Sequence, residues 1–533
     1  MAMGTETGTE MRNNLSRICL FSSLMLLVTG NALAQQTAAD PSQVSDQNKL
    51  EATLQPTWVI KPRISLTETW TDNANLNQGT NSKQSDLITE VAPGIQIQAR
   101  TARLKGYLDY SLRGQQYAQN TNSARTQNSL NAFGTLEAID NWLFLDFSGV
   151  IAQQSISAFG AQSPASTSVN SNSTETSTYR LSPYVRGQFG GIAEYMLRYN
   201  VSTTRSDSST AAGIDISQLS GQLKGSTPFQ RLKWTIDGNQ QTTDYSTGRT
   251  TDAETYRGML TYSLFPQFRI SASGGWESNN YASATQESRT THGYGFDWNP
   301  TERTQLSVFK ERRFFGDGHN ISFSHRFPMS SIQYTNTRDV SVLPDQFGYV
   351  GRGTVYDQYY QLFSGISDPV LRANFVNAFL AAFGINPKSQ IVSSFISSQA
   401  SIQRRQQLSY VIYGARNSIT LLANRSENQS LLATSIGNDD FSKSTTIRQS
   451  GLSVNFAHRL SEISNLNLLL SRQENTGGTG SSLKATTTIY QLNVSTQLGA
   501  KTTGSLSVRR SEFDNSTTPF IENALIGMVT YIY

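Results

Sequence analysis

"RLKGYLDYSLRGQQY", residues 103–117, decides the fold of this chain because apolar and polar side chains alternate along it. The apolar face consists of Leu104, Leu108, Tyr110 and Leu112. The polar face includes Lys105, Asp109 and Arg113. A period of two residues is the signature of an extended strand with two different faces, so this stretch predicts a β-strand.

The same alternation returns in "RLKWTIDGNQ" (231–240), "QFRISASGGWE" (267–277) and "TTGSLSVRRS" (502–511). Segments of this length suit a tilted strand that crosses an outer membrane in about 10 residues or slightly more. Globular strands usually run about 5 to 6 residues, which disfavours the alternative of a soluble sandwich or solenoid. Short turns also alternate with long polar loops such as 71–86 and 158–176. This alternation is typical of outer-membrane barrels.

We therefore predict an all-β fold, a transmembrane antiparallel outer-membrane β-barrel spanning residues 56–533. Its turns predict about 22 strands, within roughly 18 to 24, because such barrels have an even number. The apolar face would contact lipid and the polar face would line the lumen.

Charged residues of both signs alternate with the apolar positions and are candidates for the lumen lining. They are Lys105, Asp109, Arg113, Arg198, Lys233, Asp237, Arg269, Glu277 and Arg509. Two interpretations remain open. The charges could pair with one another and fill a closed barrel, or they could line a hydrated path for a polar, anionic polymer.

The first 34 residues have the parts of a leader and a secretory signal peptide. Arg12 and Arg17 precede a mostly apolar stretch, and Ala32 and Ala34 form a small-x-small cleavage site. Residues 35–55 are polar and predict a flexible periplasmic segment. The single cysteine, Cys19, lies in the part to be removed. The mature chain would then have no disulfide, thiol catalysis or cysteine-ligated metal.

The last strand of the sequence, "NALIGMVTYIY" (523–533), is apolar at alternate positions. Leu525, Val529, Tyr531 and Tyr533 share one face and predict a membrane-insertion strand with an aromatic interface anchor. The expected partners are therefore outer-membrane lipids, lipopolysaccharide and the outer-membrane assembly machinery. The net charge of +4 is too weak and scattered to predict a nucleic-acid partner.

One insert, residues 340–401, interrupts the series of strands. Within it, residues 368–384 have apolar side chains at helical spacing, with Pro369 at a helix start and Gly384 at its end. The helical apolar positions include Val370, Leu371, Phe375, Phe379, Leu380 and Phe383. The insert could cap the barrel rim, constrict or gate the pore from inside, or dock a partner.

Enzymatic chemistry has little support in the sequence. The four histidines are His292, His319, His325 and His458, and no nucleophile motif or metal-binding motif accompanies them. His319 and His325 are six positions apart on one predicted strand, whereas neighbouring ligands on a strand are normally about two apart. We predict no enzyme activity, no cofactor and no metal.

The first predicted strands also resemble a known family. A strand runs into Glu68-Thr69-x-Thr71-Asp72-Asn73, and "DLITEVAPGI" (86–95) and "LDY" (108–110) follow it. This opening resembles the PEP-CTERM system-associated outer membrane proteins, which are found with exosortase and exopolysaccharide gene clusters. Residues 404–421, "RRQQLSYVIYGARNSITL", are similar to that family as well. The resemblance implies a location and a neighbouring pathway, with exopolysaccharide or its export proteins as partners, and no catalytic residues.

Two features of this opening have a direct structural interpretation. Asp72 and Asn73 would start a turn by bonding their own backbone two residues on, or would contact calcium or sugar. Pro93-Gly94 would be a bulge or a place where only small residues clear the lumen. For function, we expect a passive conduit or docking platform for surface-polymer export. The alternative is a structural or adhesive barrel with a blocked lumen.

Overall fold

The computed structural model describes residues 57–78, 82–119, 121–163, 167–168, 170–208, 213–342, 395–432 and 439–533, together with 356, 359–360, 372–373, 375–377 and 380. The predicted leader, signal peptide and N-terminal segment therefore lie outside the described residues. So do the predicted helix ends at Pro369 and Gly384.

Twenty-two β-strands make up almost all of the described chain. They are β1 (Trp58–Thr71), β2 (Asp86–Arg100), β3 (Leu104–Tyr117), β4 (Arg125–Ile139), β5 (Leu143–Ser155), β6 (Ser173–Phe189), β7 (Ala193–Ser206), β8 (Ile214–Ser226), β9 (Leu232–Tyr245), β10 (Thr251–Phe265), β11 (Phe268–Asn279), β12 (Glu287–Thr301), β13 (Thr304–Arg313), β14 (Gly316–Arg326), β15 (Ser330–Ser341), β16 (Ser401–Tyr413), β17 (Asn417–Ser430), β18 (Thr446–Arg459), β19 (Ser464–Gly477), β20 (Lys484–Gly499), β21 (Thr502–Asn515) and β22 (Phe520–Ile532). A 3-10 turn covers Asp440–Ser442.

The strands form one closed antiparallel sheet. Each strand pairs with its neighbours along the chain, and β1 also pairs with β22 from Arg63↔Ile532 to Thr71↔Ala524. This last pairing removes both free edges, which a sheet in lipid requires because its backbone groups have no water to bind. The prediction of an antiparallel barrel of about 22 strands is confirmed. No helix in the described ranges is long and apolar enough to span a bilayer.

The two ends of the barrel differ in their connections. Turns of two to five residues join β2 to β3, β4 to β5 and each later even strand to its successor. At the β6–β7 turn, Gly190 and Gly191 both have positive φ (53° and 74°), which primed hairpin turns need. Most connections at the opposite end are longer, although only two residues join β13 to β14 there. We call these the short-turn end and the long-loop end; in outer-membrane barrels they are periplasmic and extracellular, respectively.

The outward face of the sheet is apolar and exposed. Along β1, for example, Ile60, Ile64, Leu66 and Trp70 all face outward. Exposed aromatic residues ring the short-turn end: Trp58, Trp142, Phe189, Phe229, Phe265, Trp298, Phe327 and Tyr533. Such a belt with an aromatic girdle is stable only in a membrane with the girdle at its interface. The protein is an outer-membrane β-barrel.

The terminal strand contributes to the same belt. Leu525, Val529, Tyr531 and Tyr533 are exposed on the outward side of β22. The rings of Tyr531 and Tyr533 meet edge to face at 4.8 Å between centroids. Their position next to the short-turn end places both phenols where a ring can contact lipid and water together.

Candidate functional site: the occluded lumen

The inward face of the sheet carries all nine charged residues predicted for the lumen lining. Strand pairing and alternation place Lys105, Asp109, Arg113, Arg198, Lys233, Asp237, Arg269, Glu277 and Arg509 on the side opposite the apolar belt. Most of them lie between exposed or half-exposed outward residues; Arg198, for instance, lies between Leu197 and Tyr199.

Ion pairs hold six of these nine residues. The pairs are Arg63–Asp109, Arg198–Asp146 (2.7 Å), Arg257–Asp237 (3.3 Å), Arg269–Asp297 (3.5 Å), Arg313–Glu277 (2.7 Å) and Arg509–Glu522 (3.1 Å). Arg113 and Lys233 make no ion pair with any residue that the structure describes. Ion pairs inside the lumen therefore compensate six of the nine charges. The same charges would be far more costly on the face that contacts lipid.

The partners in these pairs are residues that the sequence analysis missed. All six lie at inward positions of strands: Arg63, Asp146, Arg257, Asp297, Arg313 and Glu522. The same period of two, followed from the quoted segments into β1, β5, β10, β12, β13 and β22, could have found them.

Gly94 leaves room for one of these pairs. A Cβ at Gly94 would lie 2.8 Å from the Tyr110 carbonyl oxygen and 3.2 Å from Nε of Arg63. The β1–β2 register runs through Pro93 and Gly94 without a shift, so no bulge forms here. Of the two interpretations of Pro93-Gly94, the structure shows the requirement for a small residue.

A polar cavity of about 300 Å³ opens on the inward face of β9 to β15. Its charged lining includes Asp237, Arg257, Glu277, Glu311, Arg313 and Asp339. Two arginines bridge the carboxylates, with Arg257 3.7 Å from Glu311 and Arg313 3.2 Å from Asp339. This side of the lumen is polar and charged, and its carboxylates outnumber its arginines.

The described residues of the insert occupy another part of the lumen. Its helical residues Tyr359, Tyr360, Ala373, Val376 and Leu380 are buried in a cluster with residues of the barrel wall. The wall residues are Tyr107 of β3, Phe133 of β4, Leu422 of β17 and Ala457 of β18. These strand pairs are not neighbours in the sheet, so only a segment inside the barrel can contact both. We call this segment the plug.

The plug lies toward the short-turn end. Tyr107, Thr420 and Ala457 are each three residues or fewer from a strand end that leads into a short turn. The Tyr359 hydroxyl is 2.6 Å from that of Thr420, and Asn377 Nδ2 donates to the Tyr107 hydroxyl at 3.4 Å. Of the three positions considered for the insert, the structure shows the one inside the lumen.

The described residues of the insert helix agree only in part with the predicted apolar face. Leu380 is buried as predicted, together with Ala373 and Val376, whereas Phe375 is 47% exposed. The close approach to Leu422 and Ala457 favours a small side chain such as that of Ala373. Val370, Leu371, Phe379 and Phe383 lie outside the described residues.

A second obstruction lies at the long-loop end. The described residues of the β5–β6 connection, 156–163, 167–168 and 170–172, contact the inward face of the barrel, and we call them the mouth loop. Its Ala158 and Phe159 pack against Phe513 and Phe520 on the inward face of β21 and β22. Side chains of the wall donate to its carbonyl oxygens: Asn475 to Ala158 (2.6 Å), Asn515 to Phe159 (3.2 Å) and Tyr117 to Thr167 (2.7 Å).

A pair of acidic residues fastens the mouth loop to the other loops. The Asp440 carboxylate accepts hydrogen bonds from Ser157 Oγ and the Ala158 amide, both at 2.6 Å. Asp439 accepts from the amide and hydroxyl of Ser398, at the end of the insert. Burial raises the pKa of Asp440 above its ordinary value, although the bonds from Ser157 and Ala158 counteract it. The Asp440 carboxylate that holds the mouth loop is therefore buried and is stabilised by its two hydrogen-bond donors.

The residues of the family resemblance form the seam between the first and last strands. Asp72 accepts from the amide and side chain of Asn523 (2.7 and 2.8 Å) and from Lys83 (3.0 Å). Asn73 is fully buried and bonds Asn77 on both its amide and carbonyl. The predicted bond from each side chain to the backbone two residues on is therefore not the one formed. Asp72 bonds Asn523 and Lys83, and Asn73 bonds Asn77, four residues on.

Replacement of Asp72 by Ala should destabilise this seam in a pH-dependent way. Burial alone would raise the pKa of Asp72, but hydrogen bonds from Asn523 and Lys83 outweigh it and hold the pKa below its ordinary value. The stabilisation is thus complete above the ordinary value and is lost as pH falls through the folded-state pKa. At pH 7 we expect the free energy of unfolding to fall by about 2 kcal/mol, as for hydrogen bonds to a charged group.

The measurement is urea unfolding from lipid vesicles at pH 7 and at strongly acidic pH. Asp207→Ala, at an exposed acidic residue just after β7, is the matched control and should change little at either pH. An Asp72→Ala deficit of equal size at both pH values would show that the carboxylate charge plays no part.

The histidines do not form a site. His319 is 3.0 Å from Asn336, His325 is 2.7 Å from Thr304 and His458 is 2.6 Å from Asn417. His292 and His319 lie on the outward face by strand pairing. Within the described ranges, no group of three or more His, Cys, Asp or Glu side chains could hold a metal ion.

Comparison with known proteins gives only distant structural likenesses. No family model matches the chain, and no curated protein matches it. Among solved structures, it is similar to the siderophore receptor PirA from Pseudomonas aeruginosa, at 8% identity and a TM-score of 0.44, over 90% of this chain and 81% of that one. It is also similar to the FrpB iron transporter from Neisseria meningitidis (F3-3 variant), at 9% identity and a TM-score of 0.47, over 92% and 83%. At these values the likeness says nothing about ligand or activity.

Proposed function

We propose that this outer-membrane barrel is a conduit for a surface polymer, closed at rest by its own plug. The observation that carries the proposal is the relation between plug and wall. Ser341 at the end of β15 pairs directly with Ser401 at the start of β16, so the wall is complete without the 59 residues between them. The plug is therefore an addition to a finished barrel, and its described residues lie on the inner side of the wall.

The composition of the lumen supports a path for a hydrophilic solute. Outside the plug and mouth clusters, the inward face carries ion pairs, amides and hydroxyl groups, as around the cavity of β9 to β15. A barrel that served only as a scaffold could be filled by side chains at a smaller size, because lumen width grows with strand number. A wide wall closed by a separate segment is the arrangement of a conduit that can open.

The resemblance of residues 57–120 and 404–421 to PEP-CTERM system-associated proteins supports the choice of cargo. It favours an exopolysaccharide over a small nutrient, with the barrel as its passive outer-membrane stage. Docking of export proteins at the short-turn end is part of the same proposal.

A blocked structural or adhesive barrel is the second candidate. The mouth loop favours it, because buried hydrogen bonds from Asn475, Asn515 and Tyr117 tie this loop to separate parts of the wall. Such a barrel would keep its lumen closed and act through its external loops.

Deletion of the gene in its own bacterium separates the two candidates. A conduit predicts that cells lose most of their surface glycan and retain polymer in the periplasm, and that the wild-type gene restores the surface glycan. The measurement is hexose and uronate content of surface and periplasmic fractions. Normal surface glycan with a loss of cell adhesion would instead support the blocked barrel.

A further inference from the structure

The outward face carries a row of arginines on one side of the barrel, toward the long-loop end. Five odd-numbered strands in succession have an arginine eight residues after their first residue: Arg312 of β13, Arg338 of β15, Arg425 of β17, Arg472 of β19 and Arg510 of β21. On β16, Arg404 lies directly opposite Arg338. We call these six residues the arginine row.

Strand pairing fixes the outward direction of the row. Arg404 shares a strand face with Leu408, four residues on, and Arg472 is directly opposite Leu452. Both leucines are exposed and belong to the apolar belt. The other four arginines have outward positions in the same register.

The equivalent positions on the other side of the barrel are uncharged. Eight residues after the first residue of β1, β3, β5, β7, β9 and β11 lie Leu66, Leu112, Ile151, Val201, Gln240 and Trp276. Five of these six residues are apolar, so the belt continues through this level on that side. Closure of the sheet treats all strands alike and therefore does not explain why arginines replace the belt on β13 to β21.

The height of the row coincides with the edge of the membrane. Strands rise about 3.3 Å per residue and tilt by about 40°, so eight residues climb roughly 20 Å from the short-turn end. The lipid-facing belt of an outer-membrane barrel is about 25 Å tall. The arginine row therefore lies near the interface at the long-loop end, where a charge costs far less than at the bilayer midplane.

The wall itself compensates part of the row. Arg312 pairs with Asp317 at 3.1 Å, and Arg510 pairs with Glu512 at 2.6 Å. Arg338 donates to the backbone carbonyl of Asp317. These three arginines thus have partners within the barrel.

The other three arginines have none among the residues that the structure describes. Arg404, Arg425 and Arg472 are exposed, and they make no ion pair, hydrogen bond or ring contact there. Glu427 is directly opposite Arg404 but pairs instead with Arg448 at 3.1 Å. Arg404 also faces a like charge at the opposed position on β15, which destabilises a sheet unless an anion lies between the two.

The position of these three arginines limits what can bind them. A guanidinium donates two parallel hydrogen bonds to one phosphate, which makes phosphate a well-matched anion. The occupant must also lie beside the wall at the membrane interface, where lipid head groups are. A second copy of the chain is a poorer match, because the far side of the barrel presents apolar residues at this level.

We propose that Arg404, Arg425 and Arg472 bind the phosphate groups of lipopolysaccharide, the glycolipid of the outer leaflet. Arg404 and Arg425 occupy diagonal positions on paired strands, so both can contact one phosphate. Arg472 is two strands farther along, about 10 Å away, and can contact a second phosphate. This site is on the outer surface of the wall and is independent of the proposed conduit.

The test is native mass spectrometry of the purified full-length barrel in detergent. The probe is lipid A, the bisphosphorylated anchor of lipopolysaccharide, and dephosphorylated lipid A is its matched ligand. The variant Arg404→Gln/Arg425→Gln/Arg472→Gln removes the three unpaired charges of the row.

The control variant Arg231→Gln/Arg303→Gln/Arg416→Gln removes three exposed arginines from turns at the short-turn end. Heat-modifiable migration in electrophoresis establishes that each variant is folded. If the triple variant of the row does not fold, Arg404→Gln and Arg472→Gln are measured singly, and each should weaken lipid A binding about two- to threefold.

We expect lipid A to bind the wild type and the control variant with Kd values within a factor of about two. The triple variant of the row should bind it about tenfold more weakly, because three exposed charge pairs are lost. Dephosphorylated lipid A should bind the wild type about as weakly as lipid A binds that variant.

Equal affinity of the wild type and the triple variant for lipid A would overturn the inference, as would equal binding of lipid A with and without its phosphates. Displacement of lipid A by inorganic phosphate at equal concentration would assign the arginines to a free anion instead. Phosphatidylglycerol binding as tightly as lipid A would overturn the choice of glycolipid. Loss of a dimer in the triple variant, with lipid A binding unchanged, would assign the arginines to a contact between copies.

Discussion

Replacement of residues 342–400 by an Asn-Gly turn is expected to raise the single-channel conductance of the purified barrel about tenfold or more, because wide barrels without a plug leave an aqueous channel. The wild type should give a small, closed baseline in planar bilayers. The physical reason is that the plug's buried residues, among them Tyr359, Val376 and Leu380, occupy space between β3–β4 and β17–β18.

The substitution leaves the wall unchanged. Ser341 and Ser401 are already a cross-strand pair, and an Asn-Gly turn supplies the positive φ values of a tight hairpin. The new β15–β16 connection would then resemble the two-residue connection between β13 and β14 at the same end of the barrel. A loss of heat-modifiable migration would show misfolding and is checked before any conductance is recorded.

Point variants test the same idea without a deletion. Val376→Asp/Leu380→Asp places charges on the buried face of the plug helix and should release it, because an unpaired buried carboxylate is costly. Phe375→Asp, on the exposed side of the same helix, is the matched control and should leave the baseline closed. If the pore stays closed in both the deletion and the double variant, the mouth loop blocks the lumen by itself and the structural barrel becomes the better explanation.

The barrel could be predicted from the sequence because its signal is local. Each strand reports its two faces within a few residues, as Leu104, Lys105 and Tyr110 do, and turns of two to five residues mark the strand ends. The inward positions of the nine charged residues follow from the same alternation. The partners of those charges do not, since Arg63–Asp109 or Arg198–Asp146 depends on the register between strands that are distant in sequence.

The segments that lie inside the lumen could not be predicted because their contacts join parts of the chain that are distant in sequence. Asp440 accepts a hydrogen bond from Ser157, which is 283 residues away in the sequence. The plug contacts both β3 and β17. One local signal was missed, however. Tyr356, Tyr359 and Tyr360 have the i, i+3, i+4 spacing of a helix face, and all three are helical residues ahead of the predicted helix.

Truncation of Glu522 should have the largest effect on stability. Its carboxylate pairs with Arg509 at 3.1 Å and also accepts from Thr71 (3.1 Å) and Ser168 (3.3 Å). The side chains of Arg509 and Glu522 are only 6% and 1% exposed. Glu522→Ala leaves the Arg509 guanidinium buried without a counter-charge, and we expect the free energy of unfolding to fall by about 3 to 5 kcal/mol.

The position of this pair explains why the effect should reach the whole barrel. Thr71 belongs to β1, Arg509 to β21, Glu522 to β22 and Ser168 to the mouth loop. One carboxylate therefore connects both sides of the β1–β22 closure to a loop that covers it. Urea unfolding from lipid vesicles should show a lower midpoint, and protease should cleave the mouth loop faster.

Two further variants distinguish a buried pair from a mere charge effect. Arg509→Met/Glu522→Leu removes both charges and should recover most of the lost stability, because no unpaired ion remains. Glu512→Ala breaks the Arg510–Glu512 pair, whose side chains are 47% and 37% exposed on the same strand, and should cost no more than about 1 kcal/mol. A double variant as unstable as Glu522→Ala would mean that the bonds to Thr71 and Ser168, rather than the charge pair, hold the seam closed.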